Sequence, residues 1–173
     1  MLIDDRLGER VIEQLRSDTA FILYRAYRPE DARSLLVLVP RQPTMRGLEA
    51  LELEYTLATN LDPELATVPV EQVRHRENMM LLLDDPGGAP LPRLLGRQLD
   101  QSRRMQLAVA MTKTVSRLYT SGLLHRDIKP ENFLVAEPDS VRLMGFGKAR
   151  TPLSSTMIRH VDRPQKFRDP CRR

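Results

Sequence analysis

Short apolar runs and longer amphipathic ones alternate along this chain, and their spacing predicts its elements. Phe21–Tyr27 (F-I-L-Y-R-A-Y) and residues 34–39 (S-L-L-V-L-V) are apolar stretches of strand length, the second stopped by Pro40. A turn at Pro29-Glu30-Asp31 separates them, so they pair as a hairpin. Thr44 is placed to cap a helix running to residue 60 or so. Leu48, Leu51, Tyr55 and Ala58 fall on one face of it, with Glu49, Glu52 and Glu54 around that face. Two more strands follow at residues 68–74 and 79–83. The second runs into Asp84-Asp85-Pro86-Gly87-Gly88, a strong turn signal. A long helix is predicted from a cap at Asp100 to Thr120. Leu107, Met111, Val115 and Leu118 form its buried stripe, and Gly122 lies at C′. Residues 133–135 and 141–144 then make a small hairpin about the polar turn Glu137-Pro138-Asp139.

This order predicts an α+β fold: an antiparallel β lobe with one helix over residues 1–83, a connection at 84–90, and a mainly α lobe over 91–150. Hydrophobic residues make up 41% of the chain, but aromatics only 5% and tryptophan none, so the core must be aliphatic. No apolar run approaches the ~18 residues that span a bilayer, and Met1-Leu2-Ile3-Asp4-Asp5 lacks the order of a signal peptide. No membrane association is expected. The single Cys171 has no partner for an internal disulfide, which suits a reducing cytoplasm.

The net charge of +4 changes meaning once located. Residues 151–173 carry six basic residues against Asp162 and Asp169, which leaves 21 basic and 21 acidic residues in 1–150. The folded part is neutral, and the basicity belongs to a proline-containing tail expected to be solvated and disordered. Aromatic stacking partners for nucleic acid are nearly absent, so no nucleic-acid role is expected.

The chemistry is concentrated in His125-Arg126-Asp127-Ile128-Lys129-Pro130-Glu131-Asn132, between a predicted helix and a predicted strand. These eight consecutive residues resemble the catalytic loop of protein kinases, and lysine two positions after the aspartate resembles the serine/threonine type. The resemblance implies ATP and Mg²⁺ as cofactors. It implies that Asp127 accepts the substrate hydroxyl's proton and directs its attack. Lys129 then offsets charge on the transferring phosphate, and Asn132 offers a neutral oxygen to Mg²⁺ held against the nucleotide. The hinge, with Asp84 and Asp85, is the expected nucleotide edge. His125 and Arg126 are expected to be structural.

Other kinase parts are missing. Gly145-Phe146-Gly147 stands where aspartate-Phe-Gly is expected, and Gly145 has no side chain for a metal. Residues 17–23 (S-D-T-A-F-I-L) contain no glycine to let backbone approach phosphates. The strand at 34–39 has no lysine, and Lys113 is the first lysine in the chain. Glu54, aligned with the helix glutamate that normally pairs with that lysine, has two readings: a partner awaiting a cation, for which Arg41 is the nearest later basic residue, or a solvated helix carboxylate. A whole kinase domain takes roughly 250 residues, so the large lobe is expected to be truncated and the long helix partly exposed.

Leu53-Glu54-Tyr55-Thr56-Leu57-Ala58, Asn60-Leu61-Asp62-Pro63, residues 81–88 (L-L-L-D-D-P-G-G) and Leu143-Met144-Gly145-Phe146-Gly147 resemble one bacterial group. These are the kinase-like N-terminal domains of large signalling proteins that continue into an ATPase module and a sensor histidine kinase. The resemblance spans residues 10–150 and implies a protein partner in signalling. Three readings stay open: a serine/threonine kinase with weakened or lost activity, a pseudokinase that binds nucleotide or docks another protein, and a non-functional fragment.

Overall fold

Alternating strands of mixed apolar and polar residues build a five-stranded antiparallel sheet, ordered β1-β2-β3-β5-β4. The computed structural model describes residues 11–27, 34–75, 78–95, 99–136 and 140–151. The turns expected at 29–31 and 137–139 and the tail from residue 152 lie outside the described residues.

β2 (Phe21–Tyr27) and β3 (Ser34–Pro40) pair in register from Phe21↔Pro40 to Tyr27↔Ser34. β4 (Pro69–His75) and β5 (Asn78–Asp84) complete the far side, with β5 hydrogen-bonded to β3. β1 (Val11–Ser17) is an edge strand that the apolar pattern missed, because V-I-E-Q-L-R-S carries too few apolar residues. Its register against β2 shifts between Gln14 and Arg16, leaving Leu15 as the extra residue of a bulge.

α1 (Met45–Thr56) is capped by Thr44, whose Oγ1 accepts the Gly47 N–H at 3.2 Å. It stops short of residue 60, continuing as a 3₁₀ turn at Ala58–Asn60. The predicted face is corrected here: Leu51 and Glu54 are the buried pair, while Tyr55 is exposed. The following segment dives into the lower lobe, where Leu57, Leu61 and Leu65 join its core. There the Thr67 N–H donates to Leu143 O at 2.9 Å and the Leu143 N–H to Leu65 O at 2.8 Å.

The connection after β5 is a close crossing. Gly88 has φ +78°, and a Cβ there would lie 2.0 Å from Val135 O, so only glycine lets the chain run on as β6 (Ala89–Pro90) beside β7 (Phe133–Ala136). β7 pairs with β8 (Ser140–Leu143) to close a three-stranded sheet, and a short α2 (Leu91–Leu95) leads away from β6. α3 (Gln101–Thr120) begins at Asp100, whose carboxylate accepts the Arg103 N–H at 2.7 Å, and Gly122 follows it at φ +81°. Leu107 and Leu118 of the predicted stripe are buried, and Met111 and Val115 pack half-buried against the same core. Thr114 is buried among them, its hydroxyl donating to Val141 O at 3.0 Å. Tyr119 and Ile128 remain exposed beside that helix.

The two lobes share core residues. Leu134 and Met144 from the lower hairpin pack with Leu15, Leu23, Leu36, Leu38, Leu51, Leu81 and Leu83 of the sheet's inner face. Burying each such side chain contributes on the order of 1.5–3 kcal/mol, which holds the catalytic-loop segment firmly under the sheet.

Candidate functional site

Between the lobes lies a small cleft cavity of about 150 Å³, lined by residues of β1, the β1–β2 turn, β3, α1, the 127–132 loop and the 145–148 segment. His125 anchors the loop that forms part of its wall. Its Nε2–H donates to Met144 O at 3.0 Å while its Nδ1 accepts the Asp127 N–H at 3.2 Å, which fixes the neutral tautomer. Burial also pushes its pKa down. The ring meets Phe146 edge-on at 4.6 Å. His125 thereby ties the loop to the 144–146 segment. Arg126 takes a left-handed φ of 63°.

The three sequence-predicted catalytic-loop residues are brought together. Asn132 is buried, its Nδ2 donating to Asp127 O at 2.8 Å and to Asp127 Oδ2 at 3.3 Å. Lys129 Nζ lies 3.4 Å from Asp127 Oδ2 and 3.7 Å from Asp18 Oδ2. Lys148, which the sequence reading passed over, donates to Asp127 Oδ1 at 3.0 Å. Burial alone would raise the Asp127 carboxyl, but the Lys148 hydrogen bond and the Lys129 and Lys148 charges outweigh it. They hold Asp127 below the usual carboxylate range.

The turn between β1 and β2 fills its own anion site. The N–H groups of Ala20 and Phe21 donate to Asp18 Oδ1 at 2.9 and 2.8 Å, so these amides are occupied by a side-chain carboxylate. In a glycine-rich loop such amides face phosphate oxygens. Burial opposes ionisation of Asp18, but these amides and the Arg16 and Lys129 charges keep its pKa lowered.

Glu54 is neither solvated nor paired with Arg41, which corrects both expectations. It is 2% exposed, and its Oε1 accepts the Gly145 N–H at 3.1 Å. Arg41 instead donates to the Ser17 hydroxyl and to Asp18 O. Burial pushes Glu54 up to about 7, against the opposing pull of the Phe146, Gly145 and Gly147 amides and the Arg16 charge.

Arg16 brings a cation into the cleft that the sequence pattern did not place there. Its Nη1 donates to Asn132 Oδ1 and Glu131 O, each at 2.8 Å. The bulge explains its position. Arg16 pairs with Leu23, a residue of the sheet's inner face, and Leu15 next to it is buried on that same face. Strict alternation would send one of the two outward.

Asp84 and Asp85 sit at the connection between the lobes, and their carboxylates are committed to the fold. Asp84 accepts the Val68 N–H and lies 3.3 Å from Arg142 Nη1. Asp85 accepts Arg25 Nε at 2.6 Å and Nη2 at 3.0 Å, together with the Ser34 hydroxyl. Neither lines the cleft cavity.

The donor set does not fit a divalent cation. Asn132 Oδ1 already accepts a guanidinium, Gly145 offers no oxygen from a side chain, and each oxygen of Asp127 has a lysine within 3.4 Å. Magnesium takes oxygen ligands in a near-octahedral shell, and a fixed positive charge on its expected ligand opposes it.

Comparison with known proteins matches residues 48–170 to the protein kinase domain. The match begins after β3 and includes the loop at 125–132. A stress-activated protein kinase JNK of Suberites domuncula is 38% identical over 63 residues, 36% of this chain and 18% of that protein. The stress-activated protein kinase jnk-1 of Caenorhabditis elegans is 31% identical over 70 residues, 40% of this chain and 15% of that protein. The matched stretch thus spans less than a fifth of each curated relative. No helix among the described residues is long and apolar enough to cross a membrane.

Proposed function

Because the chain belongs to the protein kinase family, we propose that its cleft is a serine/threonine-kinase-type nucleotide site whose phosphoryl transfer is weak or lost, and that it acts in signalling chiefly by binding. Kinase domains in general use ATP and Mg²⁺. One observation carries the reading: a guanidinium donates to Asn132 Oδ1, the oxygen expected to ligate metal, beside a glycine at the other metal-ligand position. Without metal, the charge that develops on a transferring phosphoryl group loses its main counter-charge.

What Asp127 and Lys129 retain is the geometry to orient a hydroxyl and contact a phosphate. The fully formed catalytic loop therefore supports a residual transfer activity as the second reading. The motif likeness to kinase-like domains of bacterial multidomain signalling proteins supports a protein partner in a cytoplasmic signalling system.

The test is phosphate incorporation into a generic serine/threonine substrate, with nucleotide affinity measured in parallel. Nucleotide binding with little or no transfer supports the binding reading. Robust Mg²⁺-dependent transfer that disappears in Asp127→Asn would overturn it in favour of a working kinase.

A further inference from the structure

A buried guanidinium normally spends all its N–H groups, because each one left dry and unpartnered costs about 1–3 kcal/mol. Arg16 does not. Its side chain is only 8% exposed, and Nη1 is spent on Glu131 O, Asn132 Oδ1 and, at 3.8 Å, Met144 Sδ. Nη2 has Asp18 Oδ2 at 3.7 Å, beyond hydrogen-bond range. Nε is buried with no hydrogen-bond partner. Arg16 also lines the cleft cavity, where Lys129 and Lys148 add further positive charge. The acidic side chains facing the same space are Asp18, Asp127 and Glu54. Asp18 is held by its own turn amides, Asp127 by the two lysines, and Glu54 by the Gly145 N–H.

We propose that Arg16 is a phosphate-binding residue of this cleft, its guanidinium standing in place of both the strand lysine and the metal ion, so that polyphosphate binding here is independent of Mg²⁺. The geometry supplies the three requirements. The charge sits on Asn132 Oδ1. Nη2 is the donor left for a ligand, since its nearest acceptor among the described residues is Asp18 Oδ2 at 3.7 Å and Arg16 lines the cavity. A planar guanidinium can keep Nη1 on Asn132 while Nη2 meets a phosphate oxygen, two contacts that an ammonium cannot make together. The cavity of about 150 Å³ suits a phosphate group better than a whole nucleotide. The bulge in β1 is what delivers the side chain, since it turns Arg16 to the inner face next to Leu15.

The inference rests on the nucleotide reading of the cleft, and the two are separable by choice of probe. Isothermal titration with tripolyphosphate, ATP and adenosine, each in EDTA and in Mg²⁺, is run on the wild type, Arg16→Gln and Arg16→Lys, with folding checked by circular dichroism. Tripolyphosphate and ATP are expected to bind equally well in EDTA and Mg²⁺. Arg16→Gln should weaken both roughly 10- to 100-fold, the loss of a charge-assisted hydrogen bond, and leave adenosine unchanged. Arg16→Lys should recover only part of the loss, because it restores the charge but not the simultaneous contacts to Asn132 and to phosphate. Adenosine binding with no tripolyphosphate binding would overturn the inference and leave the nucleotide reading standing. Arg16-dependent tripolyphosphate binding with no gain from the adenosine moiety would do the reverse. If Arg16→Gln does not fold, the wild-type comparison decides alone: a strong gain in affinity on adding Mg²⁺ overturns the proposal.

Discussion

Glu54 Oε1 and the Gly145 backbone N–H meet at 3.1 Å, tying the last turn of α1 to the turn where kinases carry their metal-binding aspartate. A carboxyl buried there titrates unlike a surface one. Its folded-state value of about 7 lies above the ordinary 4.5, because burial disfavours the charge. Between these values the folded protein holds a proton that the unfolded chain has released, so stability falls as pH rises through this window. The full loss is on the order of 3–4 kcal/mol. Glu54→Gln keeps an acceptor for the Gly145 N–H and should flatten the dependence. Urea unfolding at pH 5, 6, 7 and 8 checks it, and an unchanged slope in Glu54→Gln would assign the titration to another group.

Restoring the missing aspartate should not restore a kinase. Gly145 has φ +81°, and a Cβ there would stand 3.0 Å from Asn132 Oδ1 and 3.2 Å from its Cγ and Nδ2. Sequence reasoning alone favours Gly145→Asp as a gain of metal ligand. The backbone argues the opposite: a strained left-handed residue costing about 1–3 kcal/mol, set against the buried Asn132. Gly145→Asp is expected to lower the melting temperature and give no more phosphate transfer than the wild type. A rise in Mg²⁺-dependent transfer would refute this.

Arg25 and Asp85 brace the connection between the lobes, with the Asp85 side chain buried and that of Arg25 partly exposed. Burial disfavours the Asp85 charge, but the Arg25 and Ser34 hydrogen bonds outweigh it and keep its pKa lowered. Removing one partner strands the other, so Arg25→Ala should destabilise the fold by about 3–5 kcal/mol. A lowered carboxyl contributes stability above its ordinary value of 3.8, lost as pH falls further through the folded value, the opposite sign to Glu54. Denaturant midpoints for Arg25→Ala and for Asp85→Asn, measured from pH 3 to 7, check both statements. The acid-limb dependence should shrink in Asp85→Asn.

The sequence disclosed most of this architecture through periodicity. The paired runs at Phe21–Tyr27 and Ser34–Pro40, the caps at Thr44 and Asp100, and the loop at 125–132 all form as their residue patterns require. What it hid depended on two-versus-one register and on burial. β1 reads as polar, and its bulge at Leu15 is invisible to an alternation rule, so Arg16 could not be placed in the cleft. Glu54 sits among three glutamates of α1 that look alike in sequence, and only tertiary packing makes it the buried one. Lys148 lies 21 positions from Asp127 and meets it only because the 145–148 segment folds back over the loop. A basic residue directly after Gly-Phe-Gly was the available signal.

Lys148 and Lys129 compete for the carboxylate that the catalytic loop holds in readiness. Lys148 Nζ stands 3.0 Å from Asp127 Oδ1, and Lys129 Nζ 3.4 Å from Oδ2. A base clamped between two ammonium groups gives up proton affinity, because both charges favour its ionised form. Lys148→Ala should therefore move the Asp127 carboxyl upward toward its ordinary value, and Lys129→Ala should do so by less, since the Lys148 hydrogen bond is the larger influence. Carbon-detected NMR titration of the Asp127 carboxyl in the wild type and both variants reads this directly, whether or not the chain turns over substrate. Any residual phosphate transfer should vanish in Asp127→Asn. Lys129→Ala should also lower it if, as proposed, Lys129 contacts the phosphate. A carboxyl titration unmoved by Lys148→Ala would mean that the lysine is held off the carboxylate in solution, which would remove one obstacle to the proposed role of Asp127 as base.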